Sequence, residues 1–66
     1  MAEYGKYFKK YREAKGISQT ELAERVGVTQ QSISDYEKDF KEPRFDVLVR
    51  IANVLDCSTD KLLGRG

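Results

Sequence analysis

Residues 18–38 read SQTELAERVGVTQQSISDYEK. Ser18 and Thr29 are hydroxyl residues that can accept an orphan backbone N–H at a helix start. Each is bracketed by apolar side chains one position before and four after: Ile17 with Leu22, and Val28 with Ile33. That arrangement is a hydrophobic staple, and Glu21, three after Ser18, adds a capping box. Between the two starts stands Gly27, suited to the left-handed conformation that ends a helix. The stretch therefore predicts two short helices, about 18–26 and 29–38, joined by a sharp turn. Their inward positions are Leu22, Ala23, Val26, Val28, Ile33 and Tyr36.

The same grammar extends outward. Ser58, flanked by Cys57 and Leu62, predicts a third capped start and a short helix over 58–63. Upstream, Tyr4, Phe8, Tyr11 and Ala14 share one stripe at helical spacing, predicting a helix over 3–15 that Gly16 stops. On this reading the rings of Tyr4, Phe8, Tyr11 and Tyr36 are core, and Tyr7 is the ring left exposed. Downstream of Pro43, the residues Phe45, Leu48, Ile51, Ala52 and Leu55 form a stripe that predicts a helix over 44–55. Hairpin turn pairs and period-two alternation are both missing. The expected fold is all-α, a single domain over 1–66 with five helices around one core.

Composition narrows the function. A chain of 66 residues buries only about 60% of the surface its unfolded form exposes, which leaves little room for a cleft or a bulky cofactor. There is no His, and Cys57 is a lone cysteine. Disulfide frameworks, zinc sites and catalytic triads therefore lack their members. We expect no enzyme activity, no cofactor, no metal, no small-molecule ligand and no membrane partner. The start of the chain does not resemble a signal peptide, and the expected location is cytoplasmic. Cys57 itself reads as a small apolar packing residue.

Charge is balanced overall, at +1, but unevenly placed. Residues 1–16 carry five basic and two acidic side chains, whereas residues 17–40 carry two basic and five acidic. Left as a sequence statistic, an acidic central segment predicts a solvated face and weak non-specific attraction to polyanions. Against it stands the polar, uncharged run Thr29–Ser32 at the tip of the third helix.

Taken together, YREAKGISQTELAERVGVTQQSISDYEKDFKEP (residues 11–43) and IANVLDCSTDKLL (residues 51–63) resemble the lambdoid phage repressor family, the Cro/CI or XRE-type helix-turn-helix domain. The resemblance covers nearly the whole chain. It implies a transcriptional regulator, most simply a repressor, that binds double-stranded operator DNA as a homodimer with the third helix in the major groove. Carried over, Gln30, Gln31 and Asp35 would read bases. Gln can pair with adenine N6 and N7, and Asp can accept from cytosine N4. Gln19, Thr29, Ser32, Lys38, Lys41 and Arg44 would lie on or near the DNA backbone. Arg12 and Glu37 match a structural ion pair. Cys57, Leu62 and Leu63 match a dimer contact, with Val47 and Val54 as a rival patch. The chain departs from the pattern at Asp39 and Asp56, where glycine is usual, and at Phe40, where a basic residue is common. Those departures and the acidic segment motivate the alternative, a protein-interaction adaptor on the same scaffold.

Overall fold

The computed structural model describes residues 3–65, and these form five helices with no strand among the described residues. They are α1 (Gly5–Ala14), α2 (Gln19–Val26), α3 (Gln30–Glu37), α4 (Phe45–Val54) and α5 (Thr59–Leu62). Each predicted helix is present, shorter by one or two residues at its ends except at Val26, where α2 stops as expected. The Oγ atoms of Ser18, Thr29 and Ser58 accept the N–H groups of Glu21, Ser32 and Lys61, at 3.0–3.1 Å. The three expected caps are thus made. The capping box at α2 is only half closed: the Glu21 carboxylate turns away from Ser18 and accepts from Arg25 Nη2 at 2.6 Å. An arginine four residues on lies on the same helix face and within reach of that carboxylate.

All five helices end in the same way. The N–H five residues on bonds back to a carbonyl in the last turn: Ile17 to Arg12, Val28 to Ala23, Phe40 to Asp35, Cys57 to Ala52 and Arg65 to Asp60. Each bond spans a residue in the left-handed region, namely Gly16, Gly27, Asp39, Asp56 and Gly64. This is the Schellman ending, which satisfies carbonyls that would otherwise have no partner.

The principal packings run α1 on α3, α3 on α2, α2 on α4, α4 on α5 and α5 back on α1. The helices therefore close a ring around one core. Phe8, Leu22, Val26, Ile33, Ile51 and Leu62 are its fully buried members. Tyr36, Ala23, Val47, Leu48, Ala52 and Leu55 complete it.

Three expectations about packing are corrected. Phe45 leads the predicted core stripe of α4, yet it is 78% exposed. Helical side chains lean toward the helix N-terminus, so a ring at the first position of α4 points past its end. Val47 fills the core in its place. That also removes Val47 from the rival dimer patch. Tyr7 is half-buried rather than exposed, because the backbone at Gly64 lies against its ring.

Candidate nucleic-acid interface

The helix-turn-helix is formed by α2 and α3, with Gly27, Val28 and Thr29 between them. Gly27 has φ 87°, which a residue with a Cβ adopts at a cost. The turn sets α3 across α2, burying Ile33 and Tyr36 and leaving Gln30 and Gln31 exposed on its first turn.

The far end of α3 is anchored to α1. Arg12 Nε and Nη2 donate to Glu37 Oε2 and Oε1 at 2.6 and 3.1 Å, a two-pronged pair. Its remaining arm, Nη1, donates to the Ile17 carbonyl at 2.9 Å. Both side chains are almost wholly out of solvent. Hydrogen bonding from Glu37 holds the Arg12 guanidinium charged, its pKa raised above the ordinary value despite burial. A fork-to-fork geometry of this kind fixes direction as well as charge.

From that pair a chain of amides runs toward the exposed end. Gln19 Nε2 donates to Glu37 Oε1 at 2.9 Å, and Gln30 Nε2 donates to Gln19 Oε1 at 2.7 Å. Gln31 Nε2 donates to Asp35 Oδ1 at 3.0 Å. Gln30 and Gln31 thereby each use one N–H within the chain and keep a second N–H and the carbonyl oxygen. Those two free groups are the donor and acceptor that a bidentate contact to adenine requires.

Thr29, Ser32 and Lys41 form a second cluster beside the first turn of α3. Thr29 Oγ1 lies 3.0 Å from Ser32 Oγ, and Lys41 Nζ donates to Ser32 Oγ at 3.1 Å. The α3–α4 connector therefore folds back over α3. Its other basic residues, Lys38 and Arg44, are exposed, Arg44 at the N-terminal end of α4. The structure thus brings Gln19, Thr29, Gln30, Ser32 and Lys41 together, with Gln31 and Asp35 as an adjoining pair.

Three of the five carboxylates in the acidic central segment are engaged by Arg12, Arg25 or the start of α1. Glu37 is consumed by Arg12, which comes from the basic N-terminal part. Glu21 is paired with Arg25. The Asp39 carboxylate accepts the N–H of Gly5, at the start of α1, at 3.0 Å. A count along the chain could not show these pairings, because two of the three reach across it.

Gly5 and Arg50, which sequence reasoning passed over, position this surface together with the Asp39 side chain. A Cβ on Gly5 would lie 2.5 Å from the Tyr36 carbonyl oxygen and closer still to that of Glu37, so α1 and α3 meet there only through a glycine. Asp39 closes the same junction from the other side. Arg50 donates from Nη1 to the Val26 carbonyl at 2.9 Å, covering the C-terminal end of α2, and from Nη2 to Asp46 at 2.8 Å. Its signal was an arginine four after an aspartate on α4, but its reach to α2 is tertiary.

The expected dimer residues fare unequally. Leu62 is 0% exposed, seated in the chain's own core, and presents no surface to a second copy. The position faces inward because α5 is a single turn whose one fully buried side chain must close the ring of helices. Cys57 and Leu63 are half-buried against the core edge, as is Val54. Among the described residues no group of His, Cys, Asp and Glu is arranged to hold a metal ion, and no helix is long and apolar enough to cross a membrane.

Comparison with known proteins agrees with this geometry. A helix-turn-helix family model matches residues 8–62. The chain is 38% identical over 61 residues to the HTH-type transcriptional regulator ImmR of Bacillus subtilis, covering 92% of this chain and 48% of that protein. It spans about half the length of the curated relatives it matches. Among solved structures, the P22 c2 repressor in complex with a synthetic operator superposes with a TM-score of 0.91 at 30% identity, both chains covered in full. SinR, a master regulator for biofilm formation, solved in complex with DNA, gives 0.86 at 37% identity, with 92% of this chain and 98% of that one covered.

Proposed function

Because the chain belongs to the helix-turn-helix family of Cro/CI or XRE type, we propose that it is the DNA-binding domain of a transcriptional regulator, a repressor that binds a pseudo-palindromic operator. In this reading α3 lies in the major groove, and Gln30 and Gln31 read base edges with the amide groups that the Gln19 and Asp35 contacts leave free. Asp35 adjoins as a third reader. Gln19, Thr29, Ser32, Lys38, Lys41 and Arg44 hold the DNA backbone. The observation that carries the proposal is the hydrogen-bonded line from the buried Arg12–Glu37 pair through Gln19 to Gln30. It fixes an exposed amide at the tip of α3 before any ligand arrives, which lowers the ordering cost of binding.

Two copies would read half-sites about one helical turn apart. A module of this size buries too little surface on one half-site for tight binding, so affinity rests on pairing. With Leu62 internal, the surface left for a second copy is the half-buried edge of Cys57, Leu63 and Val54.

Selection from a random duplex pool at near-physiological salt tests the proposal. The expected result is an enriched pseudo-palindrome with half-sites about ten base pairs apart, lost when Gln30 and Gln31 are both replaced by Ala. No enrichment even at low salt would overturn the groove assignment and favour the adaptor reading.

A further inference from the structure

Four helix endings in this fold are followed by a residue whose N–H makes the long Schellman bond and whose side chain could pack back on the core. Ile17, Val28 and Cys57 do pack back in this way. Phe40 makes the same backbone bond, to Asp35 at 2.9 Å, but its ring is left 74% exposed. Of these four side chains only that of Phe40 fails to turn inward and stands in solvent.

The surroundings point to the kind of partner. Lys38 Nζ stands 5.8 Å from the centre of the Phe40 ring. On its other side in sequence, Lys41 is held by Ser32 and lies over the Tyr36 ring at 5.7 Å. An apolar ring beside one ammonium group, with a second ammonium held over Tyr36 by the next residue of the connector, matches a sugar–phosphate backbone, in which an apolar sugar face separates charged phosphates. Most protein–DNA contacts are to that backbone.

We infer that Phe40 packs on a deoxyribose at the edge of the half-site, between phosphates held by Lys38 and Lys41. The inference rests on the DNA-binding reading above. It gives the connector an apolar contribution to affinity where a basic residue would contribute charge alone. An acidic protein partner would also suit lysines around a ring, but the Lys41–Ser32 bond ties this connector to the first turn of α3, the surface assigned to DNA.

The test uses the intact chain and a duplex taken from the pool selection, alongside a duplex carrying one half-site. Phe40→Ala should lower affinity about tenfold on both duplexes, with an unchanged slope of affinity against salt, because no phosphate contact is lost. Lys41→Ala should instead reduce that slope by about one. Because Phe40 is exposed, the variant keeps the fold, and an unchanged thermal midpoint checks this. Full binding by Phe40→Ala, while Gln30→Ala plus Gln31→Ala fails to bind, would overturn the contact and leave the base reading standing. A loss confined to the two-half-site duplex would assign Phe40 to a contact between copies and overturn the proposal equally. If the wild-type chain enriches no duplex, both readings fall.

Discussion

The residue that most constrains this fold is one that carries no side chain. Gly5 sits where α1 starts and where the carbonyls of Tyr36 and Glu37 end α3. Gly5→Ala would press a methyl into backbone that cannot swing aside, so overpacking should cost about 3 kcal/mol. The check is a lower urea midpoint at unchanged slope. Nothing near Gly5 in the sequence announces this, since a glycine in a first turn reads only as a weak helix former. The reason lies some thirty positions away. Asp39 and Asp56 offer the complementary case. Both hold left-handed backbone, with φ 62° and 56°, and both were legible as departures from a glycine. They are not equivalent. The Asp56 side chain is exposed and meets Lys15 at the surface, a pair that stabilises little. The Asp39 side chain caps buried Gly5. Asp56→Gly should therefore raise the thermal midpoint by relieving backbone strain. Asp39→Gly should leave it unchanged or lower it, because the same relief is offset by an unpaired N–H. Equal shifts in the two melts would refute the distinction.

At the scale of elements, the five helices were legible because their boundaries are written in local chemistry. Hydroxyls three positions before an N–H, apolar brackets and left-handed residues act within six residues of one another. What was not legible is which of two local options a side chain takes. Glu21 could close the capping box or pair with Arg25, and it pairs. Ser18→Ala should accordingly cost about 1 kcal/mol, while Glu21→Ala costs a few tenths, as expected for an exposed pair four apart. Comparable losses in denaturant titration would mean that the box closes in solution. The α1–α3 junction is a different class of element. Its Arg12–Glu37 pair was expected from resemblance and has the burial to matter: side-chain exposure is 10% and 4%. Glu37→Gln leaves the guanidinium without its counter-charge, and breaking a buried pair of this kind costs about 3–5 kcal/mol. Because Gln19 also rests on Glu37, the variant should weaken duplex binding further than its folded fraction explains, measured under conditions where it remains folded.

For the molecule as a whole, the sequence misled where charge was summed along the chain rather than over a surface. Arg12, from outside the segment containing α3, neutralises one of its five carboxylates, and Arg25 and the start of α1 engage two more. The contacts to Arg12 and to the start of α1 are tertiary and invisible to a running count. The same pairings shape the response to pH. Asp46 is held below the ordinary carboxylate range first by its hydrogen bond from Arg50, and Asp56 likewise by Lys15. A lowered carboxylate stabilises the folded chain above the unfolded value of about 3.9, and that contribution is lost as pH falls through the lower folded value. At the other end, burial raises the Cys57 thiol and, with Glu42 adding to it, the Tyr4 phenol. A raised acid of this kind favours the folded chain fully below its unfolded value, about 8.5 for a thiol, and the contribution disappears as pH rises through the folded value. With no histidine in the chain, no imidazole titrates between these limits. The thermal midpoint should therefore be flat from about pH 5 to about pH 8 and fall on both sides. Cys57→Val should keep the plateau and the acid limb but delay the alkaline decline until the Tyr4 phenol ionises. A decline beginning at the same pH in the variant as in the parent chain would show that the thiol is not its source.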